Sequence, residues 1–167
     1  YLGFNTQMGV FLWADARRAA WLAVDRDTVA TTIYTNHAIS TLLPVHPASE
    51  LYQLGESPLT YDPESLALLM EELRLTDSEL VFVVNSENVA KSSAAQLIVY
   101  QLNAAGFQVD LRQLSFEDYT AALKQGNFDL YMAETVFTAD FDLGPLLSSG
   151  GALNYGGWWT EGSEQLF

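Results

Sequence analysis

LVFVVNSENVAKSSAAQLIVYQLNAAGFQVDLRQLSFEDYTAALKQGNFDLYMAE, residues 80–134, reads as a βαβαβ succession. The apolar run Leu80–Val84 is short and rich in β-branched residues, the mark of a strand buried on both faces. A helix follows over about Ala90–Ala105, then a strand Phe107–Arg112, a helix Phe116–Gln125 and a strand Phe128–Glu134. The boundaries carry their own chemistry. Gly106 and Gly126 stand where a helix must reverse through positive φ. Ser115 with Asp118 has the form of a capping box, and Leu114 can staple against Tyr119. A helix between consecutive strands predicts a parallel sheet with right-handed crossovers.

Working outward, Asp62-Pro63-Glu64 is a helix start in which the carboxylate caps free N–H groups and proline takes the first helical position. Leu66, Leu69, Met70 and Leu73 then form a stripe at helical spacing, read as core packing. From Thr35 to Thr60 periodicity fails at Pro44, Pro47, Gly55 and Pro58, which predicts a long irregular crossing segment. Nearer the start, Trp13, Ala16, Ala20 and Val24 are expected to keep one helical face inward, and Asp27 to cap a second helix carrying Val29 and Ile33. Tyr1-Leu2-Gly3-Phe4-Asn5 reads as part of a strand, so the chain is expected to be a piece of a longer protein. There is no internal repeat and no low-complexity tract.

The 167 residues are 49% apolar, 17% charged and free of cysteine, as expected of one compact domain that needs neither disulfides nor structural zinc. Seven Lys and Arg against 21 Asp and Glu leave a formal charge of −14, which repels phosphate backbones and makes nucleic acid a poor partner. The apolar runs are too short to cross a bilayer as helices.

In an open parallel sheet, ligands bind beyond the carboxyl ends of the strands, where loops and helix N-termini converge. That rule selects Asn85-Ser86-Glu87-Asn88 and the segment Thr135 to Gly144, with Phe137, Thr138, Asp140 and Asp142. Asp140 and Asp142 alternate as in carboxylate pairs that hold magnesium or attack phosphate, although an acidic chain offers such pairs by chance. His37 and His46 match no triad or metal spacing and are assigned no role. Trp158 and Trp159 follow the glycine-rich stretch that contains Asn154. They either wall a ligand pocket or pack in the core. No metal site and no cofactor is expected.

The succession YLGFNT, DARRAAWLAVDRDTV, LTYDPESLALLMEEL, the stretch from VVNSENVAKSS to DLYMA, and FTADFDLGPLL resembles the extracytoplasmic solute-binding proteins of peptide-type ABC transporters, the oligopeptide and dipeptide binders of family 5. The likeness covers most of the chain. It implies an α/β fold, the carboxy-terminal lobe of a hinged, two-lobed binding protein of the periplasmic type II kind. That lobe would have a βαβαβ parallel core and additional N-terminal helices, with residues 1–167 as a single domain and residues 1–5 as the hinge strand. In the family an aspartate after the last of these strands approaches the free amino group of a bound peptide, and an aromatic residue three positions earlier lines the cleft. Asp140 and Phe137 match those places. An ammonium about 4 Å from a carboxylate gains roughly 4 kcal/mol at an effective dielectric near 20, before desolvation.

The departures are Asp140-Phe141-Asp142-Leu143-Gly144-Pro145, where the family has a proline soon after the aspartate, and GGWWTEG, where it has an aromatic followed by Asn and Pro. Peptides, nickel chelates, sugars and opines all remain open as solutes.

The function expected is therefore capture of peptides or similar small solutes outside the cytoplasm, in the periplasm or on a membrane-anchored lipoprotein. The expected partners are the solute, an ABC transporter permease and the missing amino-terminal lobe. Asp140, Phe137, Thr138, Asn85, Ser86, Asn154 and Trp158 are the candidate ligand-binding residues, and none is expected to be catalytic. The alternatives are a magnesium-dependent phosphoryl hydrolase using Asp140 and Asp142, which magnesium-dependent turnover of a phosphate ester would reveal, and a ligand-sensing module of a regulator.

Overall fold

A computed structural model of the chain describes residues 1–35, 37–55, 59–73, 79–138 and 141–159. In chain order they form β1 (Leu2–Phe4), a 3-10 turn (Val10–Leu12), α1 (Ala14–Ala23), α2 (Arg26–Tyr34), α3 (Pro63–Leu73) and β2 (Glu79–Asn85). These are followed by α4 (Val89–Ala104), β3 (Gln108–Leu114), α5 (Phe116–Gln125), β4 (Leu130–Met132) and α6 (Gly144–Leu147). The sheet order is β1-β4-β2-β3, with β3, β2 and β4 parallel and β1 antiparallel to β4.

The chain leaves β2 to one side to make β3, then crosses back past β2 to make β4. Right-handed crossovers in opposite directions must put their helices on opposite faces. This is what is found. Leu80, Phe82, Val84, Leu130 and Met132 face a core closed by α1 to α4, whereas Val83 and Tyr131 face a smaller one with Tyr119 and Leu123 of α5 and with Phe128. β2 is thus covered on both sides, which explains its unbroken apolar run. Four alanines of α1, Ala16, Ala19, Ala20 and Ala23, are buried. Their small size lets α1 lie close against α3, while α2 lies against α4.

The expected boundaries hold at several ends. Asp62 Oδ1 accepts from the N–H groups of Glu64 and Ser65, capping α3. Ser115 Oγ accepts from Asp118 N and donates to its carboxylate, capping α5. Gly106 and Gly126 have φ of 103° and 71°. The last strand is shorter than expected because Asp129 completes the ladder with its side chain. Its N–H donates to the Val81 carbonyl and its Oδ2 accepts from Val81 N, both at 2.8 Å. β3 runs two residues further than expected, to Leu114.

Two expectations near the start are corrected. Trp13 is 68% exposed rather than turned inward. The chain bends before α1, leaving Trp13 extended at the N-cap. Phe11, from the 3-10 turn, fills the core slot instead, 4.8 Å from the ring of Phe4. The cap of α2 is Asp25 rather than Asp27: Asp25 Oδ1 accepts from Thr28 N at 3.0 Å and Oδ2 from Thr28 Oγ1 at 2.6 Å. Those two bonds, the hydroxyl's first, hold its carboxyl below the usual aspartate range. Asp27 accepts from Ser40 Oγ and so ties down the crossing segment.

That segment holds neither helix nor strand among its described residues, and Ser40 and Leu59 tie it to α2 and α1. Trp21 Nε1 donates to the Leu59 carbonyl at 2.7 Å, the Arg26 guanidinium lies 4.4 Å over the Trp21 ring, and Asp62 N donates to the Leu22 carbonyl.

Candidate functional site

The chain departs from β2 and from the far side of β4 in different senses, so the carboxyl ends of these two neighbours form the topological switch point of the sheet. Asn85 to Asn88 lie on one side of it and Ala133 to Thr138 on the other.

The first loop is wired to its surroundings. Asn85 Oδ1 accepts from Glu87 N at 3.0 Å, and Ser86 donates to the Leu114 carbonyl through both N and Oγ. Glu87 Oε1 accepts from Phe116 N at 2.9 Å, at the start of α5. Asn88 Oδ1 accepts from Lys91 N, capping α4. The loop is thereby held at the crevice with its turn residues Ser86 and Glu87 exposed.

Across the crevice, Tyr1 and Ala133 exchange backbone hydrogen bonds at 2.8 and 3.0 Å, so β1 guides the chain as it leaves β4. Glu134 Oε1 meets Lys91 Nζ at 3.0 Å. Lys91 stands in the first turn of α4, where the helix dipole disfavours a cation, and its side chain is only 12% exposed. An ammonium so largely shielded from water calls for an anion, and Glu134, itself mostly exposed, supplies it. Sequence reasoning missed this pair. The signal available was a basic residue at the start of a helix, against the usual charge preference.

Beyond Glu134, Phe137 is half-buried and Thr138 exposed, and Phe141 N returns to the Thr138 carbonyl at 3.0 Å. Phe141 has φ of 54°, in the left-handed region that a phenylalanine rarely adopts, a local strain of the kind found at binding loops. Asp142 Oδ1 accepts from Gly144 N at 2.8 Å just before α6. Asp140 lies outside the described residues. A cavity of about 90 Å³ sits between this loop and α6. A wider depression of about 460 Å³, lined by Glu79, Asn103 and Asp110, lies at the amino end of the strands, away from the switch point.

The structure places Asn154 and Trp158 in a segment that packs on β1. Asn154 Nδ2 donates to the Ser148 and Trp158 carbonyls, and its Oδ1 accepts from Trp158 N. Its amide holds the half-buried Trp158 in place. Next to it, Gly156 approaches the Phe4 carbonyl so closely that a Cβ would come within 2.0 Å, so glycine alone fits. Tyr155 meets Tyr131 edge-on at 6.1 Å. Burial pushes the Tyr131 and Tyr119 phenols far above their ordinary range, and Tyr119 donates to the Met132 carbonyl at 2.8 Å. Both rings pack in the smaller core. His46 Nδ1 accepts from Ala48 N within its own turn. Among the described residues no group of three or more acidic or histidine side chains could hold a metal ion.

A sheet of this order, with loops gathered at one switch point, is an open α/β sheet of the periplasmic binding protein type II kind. The chain belongs to the bacterial extracellular solute-binding proteins, family 5, whose middle region matches residues 1–154. Among solved structures it is similar to the oligopeptide-binding protein AppA of Bacillus subtilis, determined with a nonapeptide. Identity is 17%, TM-score 0.83, and the match covers 99% of this chain and 37% of that one.

The ABC transporter substrate-binding protein CtaP of Listeria monocytogenes has 16% identity and TM-score 0.87 over 99% of this chain and 36% of its own. NikA of Staphylococcus aureus, determined in complex with Ni(L-His)2, has 17% identity and TM-score 0.84 over 99% and 36%. The chain thus spans little more than a third of the length of these proteins, and at such identities they share its fold. Comparison with the curated proteins finds no match. The described residues contain no helix long and apolar enough to cross a membrane.

Proposed function

We propose that this chain is the carboxy-terminal lobe of a hinged, two-lobed protein that captures peptides or peptide-sized solutes outside the cytoplasm. The protein would deliver them to an ABC transporter permease, either free in a periplasm or anchored as a lipoprotein. Residues 1–5 would be the hinge strand, and the amino-terminal lobe would close over the carboxyl end of the sheet. One observation carries the reading: two neighbouring parallel strands present Asn85–Asn88 and Ala133–Thr138 on either side of a switch point, with Lys91 and Glu134 fixing the second segment.

In this reading Phe137, Thr138, Asn85 and Ser86 line the cleft, and Asp140 takes the amino group of the solute. Trp158, held by Asn154, walls one side. The mechanism is capture and release, with no bond broken. Affinity comes from both lobes closing, so the 167-residue chain alone binds weakly.

The test uses the complete protein. Asp140→Asn should weaken peptides with a free amino terminus by about tenfold or more, as expected for losing a charge-assisted hydrogen bond, and leave N-acetylated peptides nearly unchanged. Equal loss for both kinds of peptide would remove that role for Asp140. Failure of the unaltered protein to bind any peptide would remove the peptide assignment itself.

A further inference from the structure

Lys91 reaches both loops at the carboxyl end of the sheet. Its N–H donates to Asn88 Oδ1 at 3.0 Å, in the loop after β2, and its ammonium meets Glu134 Oε1 at 3.0 Å, in the segment after β4. β4 ends at Met132, so the ladder to β2 no longer holds the chain there. Ala133 is still tied to Tyr1, and Glu134 is the next residue. The ion pair thus takes hold of the segment where the sheet lets go of it.

The two partners sit in unlike surroundings. The Lys91 side chain is 12% exposed and that of Glu134 69%. Both shielding from water and the first turn of a helix disfavour a cation, and that turn holds no acidic residue to offset it. For α4 itself an unbranched apolar side chain such as methionine would fill the same space without that cost. The charge of Lys91 therefore serves the segment after β4, not the helix that carries it.

We infer that Lys91 is a positioning residue for solute capture, acting through Glu134 to hold residues 133–138 in place against Asn85–Asn88. The inference rests on the solute-binding reading above and adds to it the residue that sets the geometry between the two loops. Lys91 does not touch the solute. Without it the segment after β4 has to be ordered when solute binds, and that ordering is subtracted from the affinity.

The test is a double-mutant cycle in the complete protein. Lys91→Met, Glu134→Ala and the double variant are titrated calorimetrically with Ala-Ala-Ala, Ala-Leu-Ala and Lys-Lys-Lys, and the Tm of each is measured. Lys91→Met should weaken binding about tenfold and leave Tm within about 3 °C, because the carboxylate it releases is already in water. Glu134→Ala should weaken binding to a similar extent but also lower Tm, because it leaves a shielded ammonium without its anion. The double variant should bind no worse than either single one and regain the Tm of Lys91→Met. In the unliganded protein Lys91→Met should speed amide exchange in residues 133–138 and leave residues 130–132 unchanged. Unchanged affinity in Lys91→Met, or losses that add in the double variant, would overturn the inference alone. No binding of any of the three peptides by the unaltered protein would overturn the peptide reading and the inference together.

Discussion

At the amino end of the sheet Asn5, Asp129 and Asn103 are consumed by the backbone, and at the carboxyl end the side chains of Asn85 to Asn88 are spent in the same way while large apolar side chains are left facing out. Asn5 is 3% exposed; its amide donates to the Gly126 and Phe128 carbonyls and its oxygen accepts from Gln7 N. Asp129 completes the ladder to Val81, and Asn103 Oδ1 accepts from Val109 N. At the other end Val89, Phe116 and Val136 are exposed, and Glu134 is 69% exposed even while paired with Lys91. The difference is in what is buried: Asn5 is buried at one end, whereas the apolar side chains of Val89, Phe116 and Val136 stay exposed at the other, the end where the proposed function puts the solute.

If that division holds, substitutions at the two ends should separate stability from binding. The largest loss of stability is expected for Asn5→Ala, about 2–3 kcal/mol, because it leaves two carbonyls at a buried turn without their donor. Urea denaturation with an unchanged slope would show it, and a loss below about 0.5 kcal/mol would break the contrast.

Next is Asp25→Ala, which removes the cap of α2 at a cost of about 1 kcal/mol near neutral pH. The folded-state carboxyl is held below its ordinary value, so its stabilisation is present above the unfolded pKa and is lost as pH falls through the folded one. The gap between unaltered protein and variant should therefore close on acidification below the usual aspartate range. A gap that widens there would contradict the assigned bonds.

The smallest effect on stability, within about 0.5 kcal/mol, is expected for Val136→Ser, which touches an exposed rim. In the complete protein this variant should instead weaken peptide binding. Stable folding with unchanged peptide affinity would place Val136 outside the cleft.

Much of the fold was legible because local signals agreed with one another. Ser115 announces α5 and Gly126 ends it, Asp62-Pro63 opens α3, and the unbroken apolar run of β2 states its burial on both faces. The errors arose where the chain bends out of its own period. Trp13 sits on the helical spacing of α1, but the helix starts one residue later and Phe11 takes its slot. Asp25 and Asp27 are both good caps by residue type, and only the geometry of Thr28 decides between them.

The two loops proposed as the site were legible as loops at the carboxyl ends of β2 and β4, since the switch-point rule needs only strand order. Its details were not. The Lys91–Glu134 pair and the cavity between Val136 and Leu153 join residues distant in sequence, and no local pattern encodes such contacts. That the amide of Asn154 is spent on the Ser148 and Trp158 backbone is likewise a contact that residue type does not announce.

The central claim, that solute is gripped at the carboxyl end of this sheet, is tested most directly by amide hydrogen exchange on the complete protein with and without a saturating peptide. Added protection should concentrate in residues 85–88 and 133–138, with residues 103–110 unchanged. Protection at the amino end, or none at the two loops despite saturation, would contradict it.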